Sequence, residues 1–95
     1  MRLEKTEIES IKKVILGFEP SATIYLYGSR IDDAKQGGDI DLMMVAQKKI
    51  SLMEKIRMKL ALYDTLGEQK IDLLIADENA DSAFINMVKQ EGKIL

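Results

Sequence analysis

Apolar residues recur along the first half of the chain at two spacings, which predict a helix followed by two strands. Residues 6–16 place apolar side chains three and four positions apart, as on one face of a helix, and Gly17 predicts its end. Residues 22–27 are β-branched and aromatic, which predicts a strand. Residues 30–38 are polar and end in two glycines, which predicts a loop before a second strand over residues 39–46.

The second half of the chain predicts a helix, a strand and a helix. Residues 48–66 contain no glycine or proline and predict a long helix that ends at Gly67. Residues 70–76 predict the third strand, and residues 81–90 predict a last helix that Gly92 ends, leaving an extended tail. We expect the inner side of the long helix to consist of Ile50, Met53, Ile56, Leu60 and Tyr63. For the last helix we expect a cap at Asp81 or Ser82 and inward-facing Phe84, Met87 and Val88.

The predicted order is α-β-β-α-β-α, in a single domain over residues 1–95. The net charge of −2 gives no support for strong nonspecific binding of nucleic acid, which is typical of a basic domain or stripe, so we expect no direct binding of nucleic acid. The apolar runs are too short to span a bilayer, and the charged start is not a signal peptide. We therefore expect a cytoplasmic protein with no membrane association.

Two residue types are missing from the chain, and their absence restricts its chemistry. The sequence contains no cysteine, which excludes disulfides, thiolate catalysis and cysteine zinc sites. It contains no histidine, the commonest general base and transition-metal ligand. Any metal site must therefore consist of oxygen ligands, which favours Mg²⁺, Mn²⁺ or Ca²⁺.

Three aspartates are candidate metal ligands and catalytic residues. Asp39 and Asp41 are separated by one residue in a strand, so their side chains point to the same side, with Cα atoms about 6.5–7 Å apart. Asp72 has the same phase in the third strand, and it is the candidate acceptor of a proton. A divalent cation would relieve the repulsion among these carboxylates. Solvated aspartates on an exposed sheet face are the alternative, whereas an EF-hand loop fails because Met43 occupies a ligand position.

The turn after the first strand is a candidate phosphate site. Gly28 lets the backbone approach a phosphate closely, and Ser29 adds a hydroxyl donor. Arg30 and Lys35 lie in the same loop and can reach phosphate oxygens. Taken singly, Gly28 and Ser29 are more typical of an ordinary turn than of a phosphate site. Arg30 and Lys35, taken singly, are equally typical of phosphate contacts and of solvated loop charges.

At these residues the chain resembles the minimal nucleotidyltransferases of the DNA polymerase β superfamily, of the HEPN/MNT antitoxin type. The shared pattern is Gly28-Ser29, a loop, Asp39-Ile40-Asp41, and Asp72 one helix and one strand later. The resemblance implies a nucleotidyltransferase fold, an α/β (α+β) domain with a small mixed β-sheet and flanking helices. It also implies catalysis with Mg²⁺ or Mn²⁺, with Asp39, Asp41 and Asp72 as metal ligands and Gly28 and Ser29 at the triphosphate.

The resemblance further implies a reaction and a partner. Similar small proteins transfer AMP from ATP to a tyrosine of an all-helical HEPN toxin. The loop here is shorter than is usual in that family and contains Asp32 and Asp33, which motivates an alternative function, namely a module that neutralises a partner by binding alone. We expect the six methionines to fill the core, and a partner surface is the alternative for Met58, which lies off the main apolar stripe of its helix.

Overall fold

The computed structural model describes residues 4–28, 39–67, 70–77 and 82–95. The predicted order α-β-β-α-β-α is confirmed, and a short fourth strand follows it where an extended tail was predicted. The elements are α1 (Lys5–Phe18), β1 (Thr23–Tyr27), β2 (Asp39–Ala46), α2 (Leu52–Leu66), β3 (Lys70–Asp77), α3 (Ala83–Glu91) and β4 (Lys93–Ile94). Within the described residues, no helix is both long enough and apolar enough to cross a membrane.

The four strands form one mixed sheet in the order β3-β2-β1-β4. Strand β1 runs antiparallel to both β2 and β4, and β2 runs parallel to β3. The connection from β2 to β3 therefore crosses over, and α2 makes that crossover. This arrangement confirms the predicted mixed sheet with flanking helices.

The two faces of the sheet bury separate apolar clusters. Helices α1 and α2 cover one face, where Ile11 and Met58 pack against alternate residues of β1, β2 and β3. Helix α3 covers part of the other face, where Val88 packs with Met43 and Val45. Because β2 is central and covered on both faces, its residues 40–46 are buried with one exception, the half-buried Asp41.

The inner side of α2 differs from the prediction. Met58 and Leu62 are fully buried, whereas Met53, Ile56, Leu60 and Tyr63 are exposed, and Ile50 is buried but precedes the helix. Met58 therefore fills the core, as expected, and the alternative that it marks a partner surface is wrong. The helix has apolar residues on two opposite sides, and the fold buries the narrower one because that side lies against α1 and the sheet.

The helix ends are set by local hydrogen bonds, which shift several predicted boundaries. Ser51 caps α2, its hydroxyl accepting from the backbone N–H of Glu54 at 3.1 Å, so the helix begins at Leu52 and not at residue 48. Ser82 caps α3 in the same way, whereas Asp81 lies outside the described residues. Gly17 does not end α1, which continues to Phe18.

The inward side of the last helix is also narrower than predicted. Val88 is fully buried, as predicted, but Phe84 and Met87 are exposed. Helix α3 has only nine residues and rests over one part of the sheet, so little of its circumference contacts the core. Phe84 instead packs edge-to-face on Tyr27, with ring centroids 5.7 Å apart.

Two acidic residues, the buried Glu19 and the half-buried Glu54, lie where the end of α1 meets the start of α2. Glu19 is buried and forms an ion pair with Lys48, at 3.3 Å between Nζ and Oε2. The carboxyl group of Glu54 shares a hydrogen bond with that of Glu19, which raises the pKa of Glu54, and burial and the charge of Glu19 raise it further. Lys48 opposes this shift. The negative charge of Glu54 is therefore less favourable in the folded protein than in the unfolded chain.

Candidate active site

The candidate site lies at the end of the sheet where strand β1 finishes and strands β2 and β3 begin. Asp41 of β2 stands opposite Tyr27 of β1 on one side and opposite Asp72 of β3 on the other. Neighbouring strands lie about 4.8 Å apart, so the backbones of the two aspartates are about that far apart as well. The parallel pairing thus brings together two carboxylates that are 31 positions apart in the sequence.

The two aspartates share the face of the sheet that α3 covers. Asp41 precedes Met43 by two residues and Asp72 precedes Leu74 by two, and both apolar residues belong to the cluster on that face. Asp41 is half-buried, and Asp72 is exposed because β3 is an edge strand. Like charges at neighbouring positions of a sheet repel each other, so this pair is more stable with a cation beside it.

The turn after β1 packs directly onto the carboxylate of Asp41. Gly28 has a positive φ of 77°, a conformation that residues with a Cβ rarely adopt. A Cβ at Gly28 would overlap Oδ2 of Asp41 and lie 3.2 Å from its Cγ. A glycine is therefore required here for two reasons, the backbone conformation and the close approach to the carboxylate.

Two aromatic residues border the carboxylates, and the sequence did not indicate them as site residues. Burial raises the pKa of Tyr27, and the negative charges of Asp41 and Asp72 raise it further. The tyrosine ring therefore lies within electrostatic range of both aspartates, with the exposed Phe84 packed against it. The period-two phase shared by Tyr27 and Asp41 could have placed the tyrosine at the site, but nothing local indicates Phe84.

The remaining predicted site residues are placed only in part. Asp39 is the first residue of β2 and pairs with Lys70, and its side chain lies outside the described residues. Ser29, Arg30 and Lys35 also lie outside them. Of the predicted set, the structure thus brings together Gly28, Asp41 and Asp72.

The chemistry of these residues fits a hard divalent cation. Carboxylate oxygens are the ligands that Mg²⁺ prefers, and Mg²⁺ is typically held by one or two carboxylates together with substrate phosphates. Asp41 and Asp72 supply such a pair, and the space kept free by Gly28 adjoins them. Among the side chains that the structure describes, no group of three acidic, histidine or cysteine residues is close enough to bind a metal. A third ligand from this chain would have to come from elsewhere, and Asp39 is the candidate.

Solved structures with the same fold include complexes of toxins with antitoxins. One is the tri-AMPylated HEPN toxin from Shewanella oneidensis in complex with its MNT antitoxin, with 21% identity, a TM-score of 0.71, and coverage of 97% of this chain and 71% of that one. A mutant of the toxin–antitoxin complex MntA–HpeT matches with 23% identity, a TM-score of 0.67, and coverage of 98% and 71%. A candidate nucleotidyltransferase from Sulfolobus solfataricus matches with 21% identity, a TM-score of 0.51, and coverage of 99% of this chain and 89% of that one.

Comparison with sequences gives a family but no individual relative. No curated protein sequence matches the chain. The family model described as "Polymerase beta, Nucleotidyltransferase" matches residues 9–95, which is nearly the whole chain. With the sheet topology and the paired aspartates, this match shows that the chain belongs to the polymerase β nucleotidyltransferase family.

Proposed function

We propose that this protein is a cytoplasmic, Mg²⁺-dependent nucleotidyltransferase that transfers AMP from ATP to a hydroxyl group of a HEPN-type toxin, as the antitoxin of that toxin. The register that sets Asp41 beside Asp72, next to Gly28, is the observation that supports this most. The family match supports nucleotidyl transfer. The AMPylated toxin in the Shewanella oneidensis complex supports the choice of nucleotide and acceptor.

In this proposal Asp39, Asp41 and Asp72 hold one or two Mg²⁺ ions, with Mn²⁺ as a substitute. The bound metal supplies positive charge that neutralises the triphosphate and the departing pyrophosphate. Asp41 is half-buried and on a central strand, so it is held more rigidly than the exposed Asp72 and sets the position of the site. Asp72 lies on the exposed edge strand, on the side from which an acceptor can approach.

The other residues bind the nucleotide and handle the proton. Gly28 and Ser29 bind the triphosphate through backbone N–H groups and the serine hydroxyl, and Arg30 and Lys35 bind its outer oxygens. The acceptor hydroxyl oxygen attacks the α-phosphorus, forming a new O–P bond as the bond to pyrophosphate breaks. Asp72 accepts the hydroxyl proton in this step. The products are the partner bearing AMP on its hydroxyl oxygen, and pyrophosphate.

Transfer of a labelled nucleotide tests the proposal. The protein is incubated with α-labelled ATP, Mg²⁺ and a HEPN-type toxin encoded beside it, and label on the toxin is quantified after denaturing electrophoresis. We expect Asp41→Asn and Asp72→Asn each to reduce labelling by at least about 100-fold, as is common when a group that acts in the transition state is lost. Glu9→Gln, which removes the charge of an exposed carboxylate on α1, is the matched control and retains labelling. Equal labelling by all variants, or none by the unaltered protein, refutes the proposal.

Binding without transfer is the second candidate function. The exposed apolar side of α2 favours it, because such a surface can bind a partner with no contribution from the aspartates. If binding alone neutralises the toxin, the Asp41→Asn/Asp72→Asn double variant inhibits the toxin as well as the unaltered protein does. If transfer is required, the double variant fails to inhibit and the toxin stays unmodified.

A further inference from the structure

Helix α2 presents a continuous apolar surface to solvent on the side opposite its buried residues. We call it the outer stripe, and it consists of Leu52, Met53, Ile56, Leu60 and Tyr63. Leu52 is 73% exposed and Leu60 is 61% exposed, whereas Met58 and Leu62 on the other side are 0% exposed. Single exposed apolar residues are common on protein surfaces, but five on one helix face form the kind of contiguous patch that marks an interaction site.

The spacing of the outer stripe is that of a helix packed against another helix. Met53, Ile56, Leu60 and Tyr63 follow one another at intervals of three, four and three residues, the alternation of a heptad seam. The stripe runs for about 16 Å along the helix, or three turns, which matches the contact length of a short partner helix. Tyr63 donates from its hydroxyl to the carbonyl oxygen of Ile71 at 3.2 Å, which fixes one end of the stripe against β3.

The borders of the outer stripe are predominantly basic. In the heptad register, Arg57 and Lys59 occupy the positions that flank the seam, where charges determine which partner helix binds. Lys55 lies on the same side of the helix as Lys59, farther from the seam. Asp64 is the one acidic flanking residue, at the end of the seam. The side chains of Lys55 and Lys59 also line a cavity of about 210 Å³ between α2 and the edge strand β3, which can receive an acidic side chain of a partner.

We infer that the outer stripe of α2 binds an amphipathic α-helix of a partner protein, one with an apolar seam and acidic residues along its borders. Charge complementarity selects this occupant over a second copy of the chain. In an antiparallel pair of copies, Arg57 and Lys59 would each lie close to the same residue of the other copy. In a parallel pair Lys59 would meet Asp64, but Arg57 would meet the apolar Leu52, so only an acidic partner pairs both cations. The identification of that partner with the HEPN-type toxin rests on the proposed function, but the binding itself does not require the aspartates.

A pair of synthetic peptides tests the inference directly. Each is a labelled three-heptad helix with leucine and isoleucine in its seam, and the two differ only in having glutamate or lysine at the flanking positions. Fluorescence anisotropy should show binding of the glutamate peptide, and binding of the lysine peptide at least about tenfold weaker. Equal binding of both peptides, or no binding of the glutamate peptide up to ~1 mM, overturns the inference.

Substitutions locate the binding surface. Leu60→Glu should weaken binding of the glutamate peptide by at least about tenfold, and the exposure of Leu60 means that the fold tolerates this change. Met87→Glu, at an exposed apolar residue of α3, is the matched control and should leave binding unchanged. Loss of binding in both variants, or in neither, overturns the inference.

Two further measurements separate the alternatives. Sedimentation should show a monomer, and a dimer that Leu60→Glu dissociates would make a second copy the occupant and overturn the inference. Asp72→Asn should bind the glutamate peptide normally while it loses nucleotide transfer. Peptide binding without any transfer by the unaltered protein would therefore refute the proposed function and leave the binding surface intact.

Discussion

Gly28→Ala is the substitution that tests the geometry of the site most selectively. Gly28 has a φ of 77°, and an alanine in such a conformation costs about 1–2 kcal/mol. For a domain of this size, that cost lowers the Tm by about 4–16 °C. The added Cβ would also lie 3.2 Å from Cγ of Asp41 and overlap one of its oxygens, so the carboxylate must move. A displacement of about 1 Å at a reacting centre can reduce the rate by about 100-fold.

Gly67→Ala supplies the matched control for that experiment. Gly67 has a similar φ of 73°, and no atom lies within 4 Å of a Cβ built on it. Both variants should therefore lose thermal stability in a melting assay, because each places an alanine at a positive φ. Nucleotide transfer, measured at a temperature where both are folded, should fall by about 100-fold for Gly28→Ala and stay near normal for Gly67→Ala. Equal transfer by the two variants would refute the assignment of Asp41 to the reacting centre.

Three further predictions concern pKa values and packing. Asp72→Asn should lower the pKa of Tyr27, followed by phenolate absorbance, because it removes a neighbouring negative charge; an unchanged titration contradicts this. The pKa of Glu54 is raised in the folded protein. Protonated Glu54 therefore adds to the free energy of unfolding below the ordinary carboxyl pKa, and this stabilisation disappears as the pH rises through the raised pKa. Glu54→Gln should accordingly raise the Tm at neutral pH, with the gain vanishing in acid, and a lower Tm at neutral pH would be contrary evidence. Gly92→Ala should lower the free energy of unfolding in urea by about 1–3 kcal/mol, because the added Cβ would lie 2.7 Å from a backbone carbonyl oxygen of α3. An unchanged unfolding midpoint would contradict this, since the backbone would then have shifted without loss of stability.

The sheet and its aspartates were predictable because strand patterns are local. The alternation in β2 and β3 places Asp41 and Asp72 in the same phase, and the in-register pairing of these residues follows that phase. Asp39 belongs to the same pattern, and its role stays a prediction. Strand β4 has only two residues, too few for a pattern. Its pairing with β1 depends on where helix α3 ends and in which direction the chain continues from it.

The orientation of α2 was not predictable because its two sides are both apolar. The side with Met53, Ile56 and Leu60 is the more regular in sequence, but Met58 and Leu62 are the residues that meet α1 and the sheet. Which side is buried depends on the position of neighbouring elements, and the sequence of the helix does not contain that information. Phe84 illustrates the same limit, since its contact with Tyr27 joins residues far apart in the chain.

The mass of the toxin after reaction tests the central claim most directly. A HEPN-type toxin is incubated with this protein, ATP and Mg²⁺, separated under denaturing conditions and measured as an intact protein. The account predicts that the toxin gains the mass of one or more AMP groups, and that Asp72→Asn leaves its mass unchanged. A toxin that is fully inhibited in the presence of ATP and Mg²⁺ but keeps its original mass would contradict the account, because inhibition would then arise from binding alone.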